Sequence, residues 1–174
     1  MASLALWFLF VILLSFAYAA WAGAPWVPTW RRDIERIRKL IDMKPGEIFY
    51  ELGCGDGRVT LAIGQKPRAV GVELSIAQWI VAQVRRVLKR SWHVHFALAN
   101  AFRVDLKPAD AVYLFLMPET YTKIASKLEC ELRPGTRVVS YVWPIPGWTP
   151  ERVDRLEGAP DLYLYIISRP LSGA

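Results

Sequence analysis

The chain has 174 residues, the length of one domain or of one domain with a short extension. Its net charge of +6, from 22 basic and 16 acidic residues, is too moderate to indicate nucleic-acid binding by itself. Two cysteines are too few for the disulfide framework of a small secreted domain, so the composition favours a reducing compartment.

The first 30 residues contain no Asp, Glu, Lys or Arg. Residues 4–22 are almost entirely apolar, and a helix of this length would extend roughly 28 Å, the thickness of a bilayer core. We therefore predict a transmembrane anchor over residues 1–24. A cleaved signal peptide is the alternative, because Ala17-Tyr18-Ala19 resembles a cleavage site, although the basic segment that should precede it is missing.

Residues 25–44 are predicted to form a linker and a basic amphipathic helix. Ile34, Ile37 and Ile41 recur at helical spacing, and five basic residues occupy other positions: Arg31, Arg32, Arg36, Arg38 and Lys39. These charges either form a solvated helix face or hold the domain near an anionic membrane. By the positive-inside rule they place the following domain in the cytoplasm, which predicts a single-pass membrane protein.

From residue 45 to residue 174, apolar runs alternate with helical stretches, which predicts one α/β domain with a mostly parallel sheet. The predicted strands cover residues 47–52, 68–73, 92–98, 110–116 and 136–142. The predicted helices cover residues 57–65, 75–90 and 119–131. Turn residues between a possible strand at 152–156 and a run at 162–168 predict a closing hairpin.

The helix predicted over residues 75–90 has an apolar stripe and a basic face. The apolar residues recur at helical spacing, and we predict that they face the core: Val81, Val84, Val87 and Leu88. The basic residues are then placed mainly outside: Arg85, Arg86, Lys89 and Arg90.

A glycine-rich segment follows the first strand and precedes a helix, with the sequence Gly53-Cys54-Gly55-Asp56-Gly57. Glycines allow a tight turn and a close approach to a ligand, and a helix N-terminus offers unpaired N–H groups. The next strand ends in Glu73, 16 residues after Gly57, where a carboxylate can hold two ribose hydroxyls. The alternative for Glu73 is a negative charge at the start of the following helix.

The segment Glu51-Leu52-Gly53-Cys54-Gly55-Asp56-Gly57 resembles the first motif, E/D-x-G-x-G-x-G, of class I (seven-strand) S-adenosylmethionine-dependent methyltransferases. NAD-binding loops more usually show G-x-G-x-x-G, whose third glycine would fall at Arg58. Over most of residues 27–168 the chain also resembles archaeal broad-specificity protein-lysine methyltransferases and their membrane-anchored mitochondrial relatives. Further matching segments are Val27-Pro28-Thr29, Gly71-Val72-Glu73, residues 132–140, residues 143–148 and residues 162–165.

This resemblance implies a Rossmann-like methyltransferase fold, with a mostly parallel sheet and a C-terminal antiparallel hairpin, preceded here by the predicted transmembrane helix. It also implies S-adenosyl-L-methionine as the cofactor, with its carboxylate on Thr29, its ribose on Glu73 and its adenine at residues 100–102. The residues implied at the cofactor are Thr29, Glu51, Gly53, Cys54, Gly55, Asp56, Gly57, Glu73, Leu74, Asn100, Ala101, Phe102 and Phe115. Asn100 departs from the acidic residue that many members of the class have near adenine.

The fourth strand ends in Leu114-Phe115-Leu116-Met117-Pro118-Glu119, which lacks the N/D-P-P-Y/F pattern of amide and adenine N-methyltransferases. Methylation of DNA adenine or glutamine is therefore disfavoured. The candidate catalytic residues are those expected at the carboxyl edge of the sheet: Glu119, Tyr121, Trp143 and Trp148. Glu119 or Tyr121 would guide the acceptor amine. The alternative for the two tryptophans is packing under a proline-rich loop.

Other reactive residues show no functional pattern. His93 and His95 share one strand face, but no cysteine or carboxylate nearby completes a metal site, so no metal is expected. Cys54 is interpreted as a small packing residue of the loop and Cys130 as an ordinary helix residue.

A sulfonium methyl group is already activated, so the protein mainly has to align a nucleophile and exclude water. For lysine, desolvation and the sulfonium charge favour the neutral amine. The resemblance, together with the predicted anchor, implies a protein-lysine N-methyltransferase whose partner is a membrane-associated protein presenting a lysine. The alternatives are a lipid or quinone methyltransferase, an inactive cofactor-binding domain and an RNA methyltransferase. RNA ranks last, because the juxtamembrane segment explains five of the positive charges.

Overall fold

The computed structural model describes residues 3–7, 10–11, 13–14, 27–64 and 68–168. The helices named here are α1 (Arg31–Ile41), α2 (Arg58–Ile63), α3 (Ile76–Leu88) and α4 (Tyr121–Glu131). The strands are β1 (Ile48–Leu52), β2 (Arg68–Glu73), β3 (Val94–Leu98), β4 (Ala111–Leu114), β5 (Arg137–Tyr141), β6 (Arg152–Asp154) and β7 (Leu162–Ile166). The elements predicted over residues 45–168 are confirmed, and their observed bounds are mostly one or two residues shorter at each end.

The seven strands form one sheet in the order β3-β2-β1-β4-β5-β7-β6. Strands β1 to β5 pair in parallel, whereas β7 is antiparallel to both β5 and β6. The predicted α/β fold with a closing antiparallel hairpin is therefore confirmed. Strand β1 lies between β2 and β4, where the strand order reverses, and open α/β sheets bind ligands at the carboxyl end of such a point.

Two clusters of buried apolar side chains cover the two faces of the sheet. The first joins α1 and α2 to the strands and includes Ile37, Ile41, Phe49, Val59 and Phe96. The second joins α4 to the strands and includes Leu52, Val112, Ile124, Leu128 and Val138. Each fully buried side chain of this kind contributes about 1.5–3 kcal/mol of transfer free energy.

Helix α1 packs as part of this domain. Ile37 and Ile41 are fully buried in the first cluster, and Arg36 Nε donates a 2.7 Å hydrogen bond to Asp154 in β6. The helix that we predicted in the segment 25–44 therefore lies against the sheet of the domain predicted over residues 45–174. The Arg36 charge, predicted to face solvent or membrane, is held inside the fold.

The predicted localisation, a single-pass membrane protein with a cytoplasmic catalytic domain, is corrected by the structure. Within the residues that the structure describes, no helix is both long and apolar enough to cross a bilayer. Residues 3–7, 10–11 and 13–14 of the predicted anchor are helical. The remainder of that segment lies outside the described residues.

Helix α3 has nearly the predicted bounds but the opposite orientation. Its inward face carries Gln78 and Ala82, both buried. The four residues that we predicted to face the core are all exposed: Val81, Val84, Val87 and Leu88. Polar contacts decide the orientation, because Trp79 Nε1 donates to the Phe96 carbonyl at 2.9 Å and Arg85 reaches the loop after β1.

Candidate active site

The loop of residues 53–57 connects the carboxyl end of β1 to α2 at the centre of the sheet edge. Gly53, Gly55 and Gly57 have φ angles of 76°, 53° and 74°, a region that residues with a Cβ rarely adopt. The N–H groups of Gly53 and Cys54 both donate to the Val72 carbonyl of β2 at 2.9 Å. The three glycines therefore set the shape of the loop, and β2 fixes its position.

The third glycine also has a packing role. A Cβ on Gly57 would lie 2.4 Å from Cζ of Phe96 in β3 and 3.0 Å from Cβ of Ala82 in α3. Distances this short are not tolerated between carbon atoms, so a larger residue would displace the start of α2. Gly57 brings three elements together beneath the loop.

Glu73 at the end of β2 joins the loop to the start of α3. Its Oε2 accepts a 2.7 Å hydrogen bond from the Gly55 N–H, and its Oε1 accepts from Leu74 N at 2.9 Å and Ser75 N at 2.8 Å. The carboxylate therefore lies beside the glycine loop and binds the two residues that precede α3, and its predicted ribose role stays a prediction. A carboxylate there suits a ligand with two neighbouring hydroxyl groups.

Glu51, the fourth residue of β1, is buried beneath the loop. Its Oε2 accepts hydrogen bonds from Thr60 N, at 2.7 Å, and from Thr60 Oγ1. Burial raises the pKa of Glu51 to about 8 against the effect of the Thr60 bonds, and the negative charges of Asp56 and Glu73 raise it further. A cationic ligand close to Glu51 would favour its ionised form.

Asp56 directs its carboxylate toward two arginines. Arg58 Nε lies 2.9 Å from Oδ1 of Asp56, Arg58 Nη2 lies 2.6 Å from Oδ2, and Arg85 Nη1 of α3 lies 3.1 Å from Oδ2. Burial would raise the pKa of Asp56, but the hydrogen bonds and charges of the arginines outweigh it and lower that pKa. The Asp56 side chain therefore fastens the loop to α2 and α3.

The segment before α1 is held beside the loop. Arg58 Nη1 donates to the Thr29 carbonyl at 3.2 Å, and Thr29 Oγ1 lies 3.2 Å from the hydroxyl oxygen of Tyr113 in β4. Thr29 is thus buried beside the glycine loop and close to the end of β4. Arg58 and Tyr113 were not among the predicted site residues, because a basic residue on a helix and an aromatic residue in a strand carry no special signal.

The turn after β3 lies next to Glu73. The Ala99 N–H donates to the Glu73 carbonyl at 2.9 Å, and Asn100 Oδ1 accepts a 2.9 Å hydrogen bond from the Phe102 N–H. The Asn100 side chain therefore shapes the turn. The side chains of Ala101 and Phe102 pack against the second buried cluster. The structure thus brings the predicted adenine residues to the same edge as the predicted ribose residue.

The carboxyl edge of the sheet continues from the glycine loop to β4 and β5. There, Phe115 follows β4 and Tyr141 is the last residue of β5. Their rings pack edge to face with centroids 4.9 Å apart. The Tyr141 hydroxyl donates a 2.7 Å hydrogen bond to Oδ2 of Asp33, which is fully buried at the start of α1. Oδ1 of Asp33 accepts from Arg36 Nη1 at 3.0 Å. Asp33 was not among the predicted site residues, because an acidic residue in a basic helix indicates nothing about a strand 108 residues away.

The turn after Tyr141 has an unusual backbone conformation. Val142 has a φ of 73°, which is strongly disfavoured for a β-branched residue, and its N–H donates to the Asp161 carbonyl at 3.0 Å. Ser140 Oγ also donates to the Trp143 carbonyl at 2.8 Å. These bonds hold a sharp turn that leaves the Trp143 side chain exposed.

The four predicted catalytic side chains do not form one cluster. Glu119 is exposed on the 3-10 turn Pro118–Thr120, and Trp143 is exposed as well. Tyr121 is buried in the second cluster, which does not include Tyr141, and its predicted acceptor role stays a prediction. Trp148 packs against that cluster, where its Nε1 donates to Glu129 at 2.6 Å. These contacts favour the packing interpretation of Trp148.

The two cysteines occupy ordinary positions. Cys54 is buried, and burial raises the pKa of its thiol well above the usual range, so it is a poor nucleophile. Cys130 is exposed on α4. Among the described residues, no group of three or more His, Cys, Asp or Glu side chains could hold a metal ion.

The model of the ANTKMT methyltransferase domain matches residues 51–152, from the glycine loop to the beginning of β6. The chain belongs to this family. The predicted class of enzyme and its cofactor are thereby confirmed: the protein is an S-adenosylmethionine-dependent methyltransferase.

Relatives of known activity resemble the chain over most of its length. The protein-lysine N-methyltransferase of Saccharolobus islandicus (strain REY15A) is 34% identical over 151 residues, which are 82% of this chain and 93% of that protein. The adenine nucleotide translocase lysine N-methyltransferase of Mus musculus is 35% identical over 135 residues, which are 74% of this chain and 57% of that protein. The similarity to protein-lysine methyltransferases therefore includes both the half of the site around the glycine loop and the half around Phe115 and Tyr141.

A solved structure has the same fold. It is an RNA methyltransferase from Salinibacter ruber in complex with S-adenosyl-L-homocysteine, with a TM-score of 0.76 and 31% sequence identity. The match covers 85% of this chain and 98% of that one. Its ligand is the cofactor's demethylated product, which agrees with the cofactor assigned here.

Proposed function

We propose that this methyltransferase modifies the ε-amino group of lysine in a protein substrate. The similarity to the archaeal protein-lysine N-methyltransferase, which extends over 93% of that protein, is the observation that carries this proposal. The half of the site around Phe115 and Tyr141, here named the acceptor half, supports it, because packed aromatic rings and a phenol hydroxyl suit a neutral lysine amine.

On the cofactor half, the residues present fit S-adenosylmethionine, which supplies an activated methyl group on a sulfonium. The Glu73 carboxylate accepts hydrogen bonds at the loop and is suited to ribose hydroxyls, with the turn of residues 100–102 beside it for adenine. Thr29 and Glu51 lie toward the ends of β1 and β4, where we place the methionine part. Glu51 there would be stabilised in its ionised form by a positive charge.

On the acceptor half, Tyr141 is assigned to orient the lysine amine. Burial and the hydrogen bond to Asp33 raise the pKa of Tyr141 well above its usual range, so the side chain stays a neutral phenol. Its proton is directed to Asp33, which leaves the oxygen lone pairs free to accept an N–H of the amine. The Phe115 ring packed against Tyr141 excludes water and favours the neutral, nucleophilic amine.

The direct test uses the full-length chain, cofactor with a labelled methyl group and a cell extract as the source of acceptors. Proteins, lipids and RNA are separated after the reaction, and labelled protein is examined by mass spectrometry. We expect label on lysine, and no label with the Glu73→Ala variant. Label on other protein residues or only in the lipid fraction would refute the proposal.

RNA methylation is the second candidate, since the similar solved structure is named an RNA methyltransferase. Several basic side chains that could contact phosphate are instead engaged within the protein. Arg36 binds Asp154, Arg58 binds Asp56, and Arg137 binds Glu47. If label in the same reaction is found in the RNA fraction and is lost on ribonuclease treatment, RNA is the acceptor.

A further inference from the structure

Helix α3 presents an apolar face to the outside of the protein. Six apolar side chains on this face are between 41% and 77% exposed, and together we name them the α3 stripe: Ile76, Ile80, Val81, Val84, Val87 and Leu88. The inward face holds Gln78 and Ala82. An ordinary surface helix buries its apolar face, so α3 is inverted relative to that rule.

The orientation of α3 is held by several independent contacts. Trp79 Nε1 donates to the Phe96 carbonyl at 2.9 Å, Arg86 Nη1 donates to the Val94 carbonyl at 3.3 Å, and Arg85 pairs with Asp56. Rotating α3 to bury its stripe would break these bonds and leave Asp56 of the cofactor loop with fewer partners. The fold therefore keeps the stripe outside, available to a partner.

Charge around the stripe limits the kind of partner. Helix α3 contains no acidic residue, and its two arginines are engaged by Asp56 and by the Val94 carbonyl. Helices that bind anionic lipid surfaces have free basic residues along their polar face, whereas here only Lys89 and Arg90 follow at the C-terminal end. The six side chains of the stripe carry no charge, so the stripe is complementary to another uncharged apolar protein surface.

The spacing of the stripe makes it complementary to itself. Ile76, Ile80, Val84 and Leu88 are each four residues apart, so they form one ridge along the helix. A two-fold axis between residues 80 and 84 would place Ile80 against Val84 of a second copy and Ile76 against Leu88 of that copy. This satisfies the reciprocal contacts of a symmetric interface.

We propose that the α3 stripe is the interface of a homodimer in which two α3 helices pack antiparallel. From their exposed fractions, the six side chains offer on the order of 600 Å² per copy, compared with about 800 Å² per partner in a stable complex. Trp92, just after the helix, and Leu98, at the end of the edge strand β3, are also exposed and extend the same side of the domain.

The association is tested by sedimentation of the full-length chain over a range of concentrations. We expect a dimer whose association constant falls at least about 100-fold in the double variant Ile80→Glu/Val84→Glu, because dimerisation would bury four unpaired charges. Leu156→Glu is the matched control, since Leu156 is exposed beyond β6 at the other edge of the sheet. The control should remain a dimer, and all variants should keep the wild-type cofactor affinity.

The register is tested by cross-linking in a Cys130→Ser background. Chains with Ile80→Cys are mixed with chains with Val84→Cys and treated with a short bismaleimide, and the 80-to-84 product should predominate. A monomeric wild type, or a double variant that still forms dimers through other residues, would overturn the proposal. If the wild type floats with phosphatidylglycerol vesicles and the double variant does not, while both have the same oligomeric state, the stripe binds a lipid surface. That result would also overturn the proposal.

Discussion

The two halves of the sheet's carboxyl edge are assembled over very different separations along the chain. In the cofactor half, Glu51 contacts Thr60, 9 residues away, and Glu73 contacts Gly55, 18 residues away. In the acceptor half, Tyr141 contacts Asp33 across 108 residues. The glycine loop and its two carboxylates are therefore encoded in one strand-loop-helix unit and the next strand, whereas the contact of Thr29 with Tyr113 and the acceptor half require the complete topology.

The largest expected effect lies in the cofactor half. Replacing Glu73 with Ala should weaken cofactor binding by about 100-fold or more, because two charge-assisted hydrogen bonds are each worth about 1.5–3 kcal/mol. Isothermal titration calorimetry measures this loss. Glu35→Ala, which removes an exposed carboxylate on α1, is the control and should bind normally. Unchanged affinity in Glu73→Ala would remove this residue from the cofactor site.

In the acceptor half, Tyr141→Phe should lower kcat/KM for the protein substrate by about 3- to 10-fold, since one hydrogen bond between neutral groups contributes about 0.5–1.5 kcal/mol. Cofactor affinity should stay within about threefold of wild type, because the two halves are separate. Steady-state kinetics with calorimetry on the same samples measures both quantities. Tyr163→Phe on β7 is the matched control. A parallel loss of cofactor affinity in Tyr141→Phe would show that the two halves are coupled.

The buried Glu51 should make folding stability depend on pH. Its pKa is about 8 in the folded protein against 4.5 as the ordinary value, so between these pH values the native state holds a proton that the unfolded state releases. The free energy of unfolding should therefore fall as pH rises through this window, by at most about 1.4 kcal/mol per pH unit. Urea denaturation at several pH values should show the slope in the wild type and a flatter profile in Glu51→Gln.

An equal slope in the wild type and in Glu51→Gln would mean that another group titrates in this window. Asp56 provides an internal contrast, because its pKa is lowered from 3.8. Its contribution to stability is present above that value and is lost only as the pH falls below it, so it cannot produce the Glu51 slope.

The smallest expected effect concerns the two tryptophans of the loop after β5. Trp148→Phe removes the hydrogen bond to Glu129 but keeps a ring against Tyr165, whose centroid lies 5.5 Å away. We expect a loss of about 1–2 kcal/mol in unfolding free energy, with methyl transfer within about twofold of wild type. Trp143→Phe at the exposed position should change stability by less than about 0.5 kcal/mol. Loss of activity in a stable Trp148→Phe protein would restore its predicted catalytic role.

The prediction of the helices and strands succeeded where the signal was local. The runs before Glu51 and Glu73 are apolar and bounded by turn residues, and the structure places strands there. The orientation of α3 could not be obtained in this way, because periodicity defines an apolar face without showing which neighbour it meets. The ion pair between Arg85 and Asp56 is one of the contacts that fix the orientation of α3, and neither residue shows in the sequence that it will meet the other.

The amino-acid sequence by itself determined the glycine loop of this methyltransferase and the carboxylate beside it. Three glycines with positive φ angles make the loop, and Glu73 lies at the end of the next strand. The tertiary structure alone decided that Asp33 meets Tyr141, that Trp148 packs against Tyr165 and that α3 turns its apolar stripe outward. These outcomes depend on contacts between distant segments, whose free energies arise only when the sheet order brings those segments together.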